Sequence, residues 1–310
     1  MARYAVLDIG TNSIKFQIAE KQADGTWSAV LDQSEVSRLG ANMQATGQIT
    51  PEAMERNVKA IARMMAVTRA QNVDRVMAVG TMCLRTAQNA QEFLQRVKQE
   101  CGLAIEVISG EEEARLSYLA VKAGIALHKG QVVMFDTGGG STEFIFGKDE
   151  HIERRFSVNI GAVRYTEQML VSDPVTQEEF TQAMQAIEHD LAEVHFDENI
   201  ETLIGVGGGI VNLCAVKLQL TEYQPGLIHG SLLELCEVER QIDLYRSKTI
   251  TERKQLPGLQ PERADVILAG AMIVRTILKK AGVGSLIVSV RGLRHGVLLD
   301  RFRSNPPQAP

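Results

Sequence analysis

Two short segments with one shared pattern decide the fold: DIGTNS at residues 8–13 and DTGGGS at residues 136–141. Each reads Asp-x-Gly-x-x-Ser, and each is flanked by apolar residues. Tyr4–Leu7 leads into the first segment, and Gln131–Phe135 leads into the second. An apolar run, a glycine turn and a renewed apolar run predict two strands joined by a tight turn. Because the pattern opens each half of the chain, we predict two similar α/β domains that face a shared cleft.

The rest of the chain alternates between helix-like and strand-like patterns. Thr50 suits the N-cap of a helix that begins at Pro51, and Ser109 with Glu112 forms a predicted capping box. The pattern shifts near 124–130, so we place the domains at 1–125 and 126–310. The predicted helices cover 51–71, 87–101, a segment from 109 onward, 176–194, 210–218, 261–282 and 292–302. The further predicted strands cover 14–18, 75–79, 105–108, 143–147, 203–206 and 285–290.

Length and composition describe a globular chain of about two domains. The 310 residues are 45% apolar and 23% charged, which is ordinary for such a protein. No apolar run approaches the ~18 residues that a membrane span needs. Asp8 interrupts the first apolar stretch, so the start of the chain lacks the pattern of a cleavable signal. We therefore expect a cytoplasmic protein.

Charge and cysteine content exclude further classes of protein. The formal net charge of −5 argues against general nucleic-acid binding, although it leaves room for a local basic pocket. None of the four cysteines stands in a CxxC pair or another zinc-binding spacing. We expect them to be buried thiols: Cys83, Cys101, Cys214 and Cys236.

Both glycine turns also contain hydroxyl side chains, a composition typical of phosphate-binding loops. Several backbone N–H groups of such a turn can point inward and form a nest for phosphate oxygens. Glycine permits close approach of the backbone, which a side chain would block. An ordinary hairpin turn is the alternative for a single segment, and the repeat favours phosphate binding. The predicted donors are Gly10, Thr11, Asn12, Ser13, Gly138, Gly139, Gly140 and Ser141.

Three carboxylates accompany the turns: Asp8, Asp136 and Glu143. Mg²⁺ in proteins commonly takes one or two carboxylates together with substrate phosphates. These side chains could therefore hold Mg²⁺ or another divalent cation. For Glu143 taken alone, a carboxylate on the surface of a strand is the alternative.

Two residues of the first half are candidates for catalysis and substrate binding. Glu111–Glu113 opens a helix, where acidic residues also suit the helix dipole. The capping box accounts for Glu112, which leaves Glu113 to face the cleft. Arg85 lies between a predicted strand and a predicted helix, where an arginine can bind phosphate bidentately. A solvated surface arginine is the alternative.

A third glycine-rich segment, Gly207–Gly209, precedes a predicted helix. Gly207 and Gly208 could form an anion site at the N-terminus of that helix. A close crossing of strand and helix explains the glycines equally well. Arg291, Arg294 and His295 either supply positive potential to the cleft or belong to a solvated helix face. His229 either lines the cleft or is a structural histidine.

Taken together, these segments resemble the exopolyphosphatase/guanosine pentaphosphate phosphohydrolase family. The likeness extends from about Tyr4 to Asp300, and the order of the motifs is more specific than any one of them. DIGTNS resembles the first phosphate loop of the family and DTGGGSTE the second. The other similar stretches are GTMCLR at 80–85, SGEEEARL at 109–116 and LPGLQPERADVILAGA at 256–271.

The resemblance implies a duplicated actin-like fold, also called ribonuclease-H-like, with two domains around a phosphate-binding cleft. It implies an exopolyphosphatase that hydrolyses the terminal phosphate of inorganic polyphosphate with Mg²⁺. Glu113 matches the catalytic glutamate of the family, and Arg85 lies in the segment with a substrate-binding arginine. A homodimer is also implied. Longer members have an additional C-terminal helical region, which we expect to be missing here.

Other functions stay open at this point. The first alternative is release of the 5′ terminal phosphate of guanosine pentaphosphate (pppGpp). The second is an ATPase or small-molecule kinase of the same fold, with an adenosine pocket near Gly207–Gly209. The third is a non-catalytic sensor of nucleotide or polyphosphate. The presence of Glu113, Asp136 and Glu143 counts against a sensor.

Overall fold

The computed structural model describes residues 2–23, 25–126, 130–148, 151–196 and 200–302. Contacts divide this chain into two units, the first ending at Ala120 and the second covering Val121–Gly292. From Leu293 the chain belongs to the first unit again. This corrects the predicted boundary at 125/126, because the last helix packs against the sheet of the first unit. None of the described helices is both long and apolar enough to span a membrane.

The first unit contains five strands, with helices between and after them. The strands are β1 (Arg3–Ile9), β2 (Ser13–Lys21), β3 (Trp27–Val36), β4 (Arg75–Gly80) and β5 (Ile105–Val107). The helices are α1 (Met43–Thr46), α2 (Pro51–Ala70), α3 (Met82–Thr86), α4 (Ala90–Cys101) and α5 (Gly110–Lys122), which ends just past the boundary.

The five strands form one sheet in the order β3-β2-β1-β4-β5. The first three strands are antiparallel neighbours, whereas β4 and β5 add parallel to β1. Successive side chains of a β-strand point to opposite faces of the sheet. A strand that is buried on both faces therefore needs apolar residues at nearly every position. Strand β1 has this pattern: Ala5, Leu7 and Ile9 belong to one hydrophobic cluster, and Tyr4 and Val6 belong to another.

The second unit has six strands: β6 (Gln131–Thr137), β7 (Thr142–Lys148), β8 (His151–Val158), β9 (Thr202–Val206), β10 (Leu232–Glu234) and β11 (Ser285–Ser289). Its helices are α6 (Ala162–Met169), α7 (Gln177–Asp190), α8 (Gly208–Lys217), α9 (Pro225–Ile228), α10 (Leu235–Arg246), α11 (Ile250–Arg253) and α12 (Ile267–Ala281). Helix α13 (Leu293–Arg301) follows and belongs to the first unit.

The second sheet repeats the order of the first. Its strands run β10-β11-β9-β6-β7-β8, with β6, β7 and β8 antiparallel and with β9 and β11 added parallel to β6. The short strand β10 is an additional antiparallel edge. Strands β6, β7, β8, β9 and β11 thus match β1 to β5 in order and direction. The duplication inferred from two glycine turns is confirmed by the topology of both units.

Two predicted elements differ in the structure. Helix α4 begins at Ala90 rather than at 87, and the short helix α3 precedes it. The predicted helix over 261–282 is a 3-10 turn over Pro261–Arg263 followed by α12 from Ile267. The amide of Val266 donates to the Asp265 carboxylate at 2.9 Å. Such a local side-chain acceptor competes with the helical hydrogen bond and delays the helix.

Candidate active site

The first glycine turn joins β1 to β2 through three residues, Gly10, Thr11 and Asn12. The Gly10 amide donates to the Ser13 carbonyl at 3.1 Å, which closes the turn. The Thr11 carbonyl accepts from the Gly40 amide. The Asn12 carbonyl accepts from the amides of Ser37 and Arg38. Within the described ranges, the backbone N–H groups of Thr11 and Asn12 have no acceptor. The turn therefore presents two adjacent amide donors to a ligand.

The second glycine turn, between β6 and β7, has the same construction. Gly138 donates to the Ser141 carbonyl at 2.9 Å, and the carbonyl groups of Gly138 and Gly139 accept from the first turn of α6. The backbone N–H groups of Gly139 and Gly140 again lack an acceptor among the described residues. A Cβ atom on Gly161 would lie 2.3 Å from the Gly139 oxygen, so only glycine fits behind this turn.

Asp8 lies two residues before the first turn and is 4% exposed. In the alternation of β1 it follows Tyr4 and Val6, so its side chain projects to their face of the sheet. Its partner across the hairpin is Lys15, whose Nζ lies 3.5 Å from Asp8 Oδ2. The carboxylate predicted to bind a cation is thus ion-paired with a lysine in this structure.

Arg85 and Glu113, which the sequence analysis considered separately, form an ion pair. Arg85 Nη1 donates to Glu113 Oε2 at 2.8 Å and to the Ile108 carbonyl at 2.9 Å. Arg85 belongs to the last turn of α3 rather than to a loop, and Glu113 lies in the first turn of α5. Glu113 is 9% exposed. Both charged side chains are therefore held in defined positions on the first unit.

The first turn of α5 is anchored by the neighbouring acidic residue. The Ser109 hydroxyl accepts from the Glu112 amide at 3.1 Å, as the predicted capping box requires. The Glu112 carboxylate instead receives two hydrogen bonds from Arg115 and a third from Arg301 on α13. Arg115 also binds Asp300. These bonds tie the segment that carries Glu113 to the C-terminal helix.

Asp136 and Glu143 face each other across β6 and β7 in the second unit. Glu143 is 2% exposed, which excludes the alternative of a surface carboxylate. Its Oε1 accepts hydrogen bonds from the hydroxyls of Ser141 at 2.8 Å and Ser157 at 2.7 Å. Two hydroxyl donors stabilise a buried carboxylate in its charged form. The Ser141 hydroxyl, predicted to bind phosphate, donates to Glu143 in this structure.

Gly207 and Gly208 stand at the start of α8, close to Asp136. Gly207 has a φ of +118°, and a Cβ there would lie 2.3 Å from the Thr137 carbonyl and 3.2 Å from Asp136 Oδ1. The guanidinium of Arg263 lies against Gly208, where a Cβ would come within 2.6 Å of its Cζ. The segment is therefore a close crossing of strand and helix, with an arginine beside it.

The carboxylates of the second unit offer a partial donor set for a cation. Among the described residues, no group of three or more His, Cys, Asp or Glu side chains could hold a metal ion. Asp136 and Glu143 are nevertheless two buried carboxylates at opposed positions of one hairpin. A pair of carboxylates fits Mg²⁺ that draws its remaining ligands from phosphates and water.

Several other predicted residues have structural roles. Arg294 is buried and binds Asp32 on β3 through two hydrogen bonds at 2.9 and 3.0 Å, so it is not part of a solvated helix face. His229 contacts the Gly124 carbonyl at 3.1 Å, and burial lowers the pKa of its imidazole. Arg291 donates to the Ala123 carbonyl. Cys236 is exposed, contrary to prediction, whereas the other three cysteines are buried.

Sequence reasoning missed two partners that the fold supplies. Lys15 pairs with Asp8, and Ser157 on β8 binds Glu143. A signal for Lys15 was present, because a turn closed between residues 10 and 13 aligns position 8 with position 15. No such signal existed for Ser157, because β8 itself was not predicted.

A model of the Ppx/GppA phosphatase family matches residues 17–305. The chain belongs to this family. Among Ppx/GppA relatives, exopolyphosphatase 2 of Mycobacterium tuberculosis is 32% identical, over 97% of this chain and 98% of that protein. The guanosine-5′-triphosphate,3′-diphosphate pyrophosphatase of Photobacterium profundum is 29% identical, over 96% of this chain and 59% of that protein. The solved Ppx/GppA family member of Aquifex aeolicus is 36% identical, covers 97% of each chain and superposes with a TM-score of 0.80.

Membership of the Ppx/GppA family confirms the resemblance that the ordered motifs predicted. It also confirms the fold class, a duplicated actin-like α/β architecture, which both sheets display by their strand order. The names of the relatives support a phosphoanhydride hydrolase.

Proposed function

We propose that this protein is an exopolyphosphatase that hydrolyses the terminal phosphoanhydride bond of inorganic polyphosphate. The observation that carries the proposal is the pair of equivalent glycine turns, each with two backbone N–H donors that lack an acceptor in the described chain. Such donors can bind phosphate oxygens without first breaking a hydrogen bond within the protein. The exopolyphosphatase name of the Mycobacterium tuberculosis relative supports the choice of substrate.

In this proposal, the chain supplies positioned charges rather than a covalent intermediate. Glu113 orients the attacking water and accepts its proton as the water attacks the terminal phosphorus. Arg85 binds the neighbouring phosphate through its guanidinium, which is now shared between Glu113 and a carbonyl group. Phosphate oxygens compete for that guanidinium, so substrate binding would release Glu113 toward the water. Positioning and electrostatic stabilisation account for most catalysis in phosphoryl transfer.

The cation is part of the same proposal. Asp136 and Glu143 would hold Mg²⁺, which would neutralise negative charge that develops on the phosphate oxygens. Asp8, paired with Lys15 on the first unit, is a further candidate ligand for a divalent cation. The hydroxyls of Ser141 and Ser157 orient the Glu143 carboxylate for this role.

A second candidate is removal of the terminal phosphate of guanosine pentaphosphate. It is favoured by the Photobacterium profundum relative, whose name is guanosine-5′-triphosphate,3′-diphosphate pyrophosphatase. The phosphate-binding turns and Glu113 would serve both reactions, because the bond broken is of one kind. A polyphosphate chain and the nucleotide differ only beyond the reacting phosphates.

The test compares phosphate release from long-chain polyphosphate and from guanosine pentaphosphate, each with Mg²⁺ or with EDTA. We expect Mg²⁺-dependent release from polyphosphate. Glu113→Gln should retain substrate binding and lower kcat by about 10²–10⁴-fold, because it removes general-base catalysis. Glu111→Gln is the matched control, since Glu111 occupies the same helical turn and is exposed.

Each alternative has its own outcome in this assay. Release from the nucleotide alone would assign the second activity. ADP formation from ATP with an acceptor would point to a kinase. Binding of polyphosphate without turnover would make the protein a sensor. Full turnover by Glu113→Gln would remove Glu113 from the mechanism.

A further inference from the structure

Arg38 has an unusual backbone conformation beside the first glycine turn. Its φ is +50°, in the left-handed region that bulky residues rarely adopt. In the described chain, three other non-glycine residues share this region: Asn42, Asn72 and Gln219. Asn72 and Gln219 follow the last turns of α2 and α8, and Asn42 precedes α1, so these three belong to helix ends. Arg38 does not lie at a helix end.

The surrounding structure holds Arg38 in this conformation from both sides. The amides of Ser37 and Arg38 both donate to the Asn12 carbonyl, at 3.1 and 2.9 Å. From α2, Arg56 donates to the carbonyls of Ser37 at 2.6 Å and Arg38 at 3.0 Å. The buried Asn57 also donates to the Ser37 carbonyl, at 3.1 Å. A strained residue persists only where its surroundings impose the strain in this way, and such residues concentrate at functional sites.

The hydrogen bonds of the segment Ser37–Gly40 also explain the orientation of the turn. Because Ser37, Arg38 and Gly40 donate to the carbonyl groups of Thr11 and Asn12, the peptide N–H groups of the turn remain for a ligand. Glycine or asparagine would adopt the same backbone with less strain than arginine. The residue that stands there is half-buried and cationic, so the side chain rather than the backbone accounts for its presence.

We propose that Arg38 is a substrate-binding residue that contacts the phosphate next to the one bound at Thr11 and Asn12. This inference rests on the proposed function, since it takes the ligand to be a chain of linked phosphates. The Arg38 backbone amide donates to the Asn12 carbonyl, so Arg38 lies beside the turn, and a guanidinium on a side chain of this length can reach such a phosphate and bind it bidentately. The segment Ser37–Gly40 thus orients the turn and adds one positively charged side chain beside it.

The experiment compares Arg38→Gly, Arg38→Asn and Arg38→Lys with the unmutated protein. Glycine and asparagine keep the left-handed backbone and remove the charge, whereas lysine keeps the charge. We expect the two neutral variants to fold with an unchanged or higher Tm and to raise KM for tripolyphosphate and long polyphosphate about tenfold, as for loss of a charged hydrogen bond. Arg38→Lys should recover part of this loss. Inhibition by orthophosphate should change less than about threefold, since a single phosphate occupies the turn alone.

Gln219→Gly is the control for the backbone, because Gln219 has the same φ of +50°. Arg69→Ala is the control for charge, because Arg69 is exposed on α2. Neither should alter KM. A KM for tripolyphosphate within twofold of the unmutated value in Arg38→Asn would overturn the inference. A KM raised as much in Arg38→Lys as in Arg38→Asn, together with a lowered Tm, would also overturn it.

Failure of the proposed function gives a separate signal. If the unmutated protein released phosphate from neither substrate, tripolyphosphate binding by calorimetry would still decide the role of Arg38. Weaker binding by Arg38→Asn would support the contact, and equal binding would refute it.

Discussion

At the scale of single residues, the charged candidate residues of each unit are already paired within their own unit. Arg85 holds Glu113, Lys15 holds Asp8, and two serine hydroxyls hold Glu143. A buried charge without a partner is costly, so these pairings stabilise the folded units. Phosphate can replace a carboxylate as the partner of Arg85 or Lys15. Substrate binding would therefore exchange partners rather than create new buried charges.

Arg85→Lys tests this exchange at the arginine. Lysine keeps the charge but lacks the planar pair of donors, so we expect KM for polyphosphate to rise about tenfold and kcat to fall less than about threefold. The Tm should stay within a few degrees. The measurement is steady-state phosphate release, with Arg69→Lys on the exposed side of α2 as control. A loss confined to kcat would contradict a binding role for Arg85.

The sequence located each charged group but not its partner. Spacing identified both turns, because a glycine turn is a local pattern of a few residues. The ion pair between Arg85 and Glu113 joins α3 to α5, and nothing in the spacing of the two residues indicates that contact. The pair of Asp8 and Lys15 follows from hairpin register and could have been predicted. Local chemistry was therefore readable, and long-range pairing depended on the tertiary fold.

At the scale of elements, the three strands that were not predicted are edge strands: β3, β8 and the short β10. Strand β3 ends one side of the first sheet, and β8 ends the matching side of the second. Both carry polar side chains at exposed and half-buried positions, so neither has the apolar alternation that reveals a strand. The central strands β1 and β6 were predicted because burial on both faces requires continuous apolar sequence. The repeat would have indicated β3 and β8 together, had one of them been recognised.

Helix α5 has a pH-dependent anchor at its first turn. Hydrogen bonds from Arg115 lower the pKa of Glu112 below its ordinary value. A carboxyl with a lowered folded pKa contributes stability above its unfolded pKa of about 4.3, and this is lost as pH falls through the folded pKa. Glu112→Gln should thus lower the free energy of unfolding by about 0.5–1 kcal/mol near neutral pH. The difference should shrink progressively below about pH 4.

Chemical denaturation across that pH range measures the difference, with hydrogen exchange of the α5 amides as a local readout. Glu111→Gln is the control, because Glu111 is exposed in the same turn. A difference between the unmutated protein and Glu112→Gln that does not change with pH would show that the carboxylate charge is not what anchors the helix.

At the scale of the whole molecule, the last helix of the chain packs with the first unit. The first unit begins the chain, yet its second hydrophobic cluster is completed by the last helix, α13. That cluster combines Tyr4 and Val6 of β1 with Leu116 of α5 and with four side chains of the C-terminal segment: Leu293, Val297, Leu298 and Phe302. A boundary drawn along the sequence could not place this segment correctly, because its apolar pattern predicts a helix without naming its partner.

Removal of residues 293–310 should therefore damage the first unit rather than the second. The four lost side chains are almost fully buried, and burial of each contributes about 1.5–3 kcal/mol. Their sum is comparable to the total stability of a typical domain, about 5–15 kcal/mol. Trp27 is the single tryptophan, and its ring centroid lies 5.3 Å from that of Tyr4. Its fluorescence emission therefore reports on the first unit. We expect the shortened chain to show the emission of exposed indole.

Limited proteolysis with mass spectrometry completes this test. Cleavage of the shortened chain should begin within residues 2–120, while fragments from 121–292 persist, because the core of the second unit contains no side chain from α13. A chain lacking only 303–310 is the matched control and should keep native tryptophan emission. Native emission and unchanged cleavage after removal of 293–310 would mean that the sheet of the first unit is stable without its second layer. The return of the last helix would then be dispensable for folding of the unit that holds Glu113.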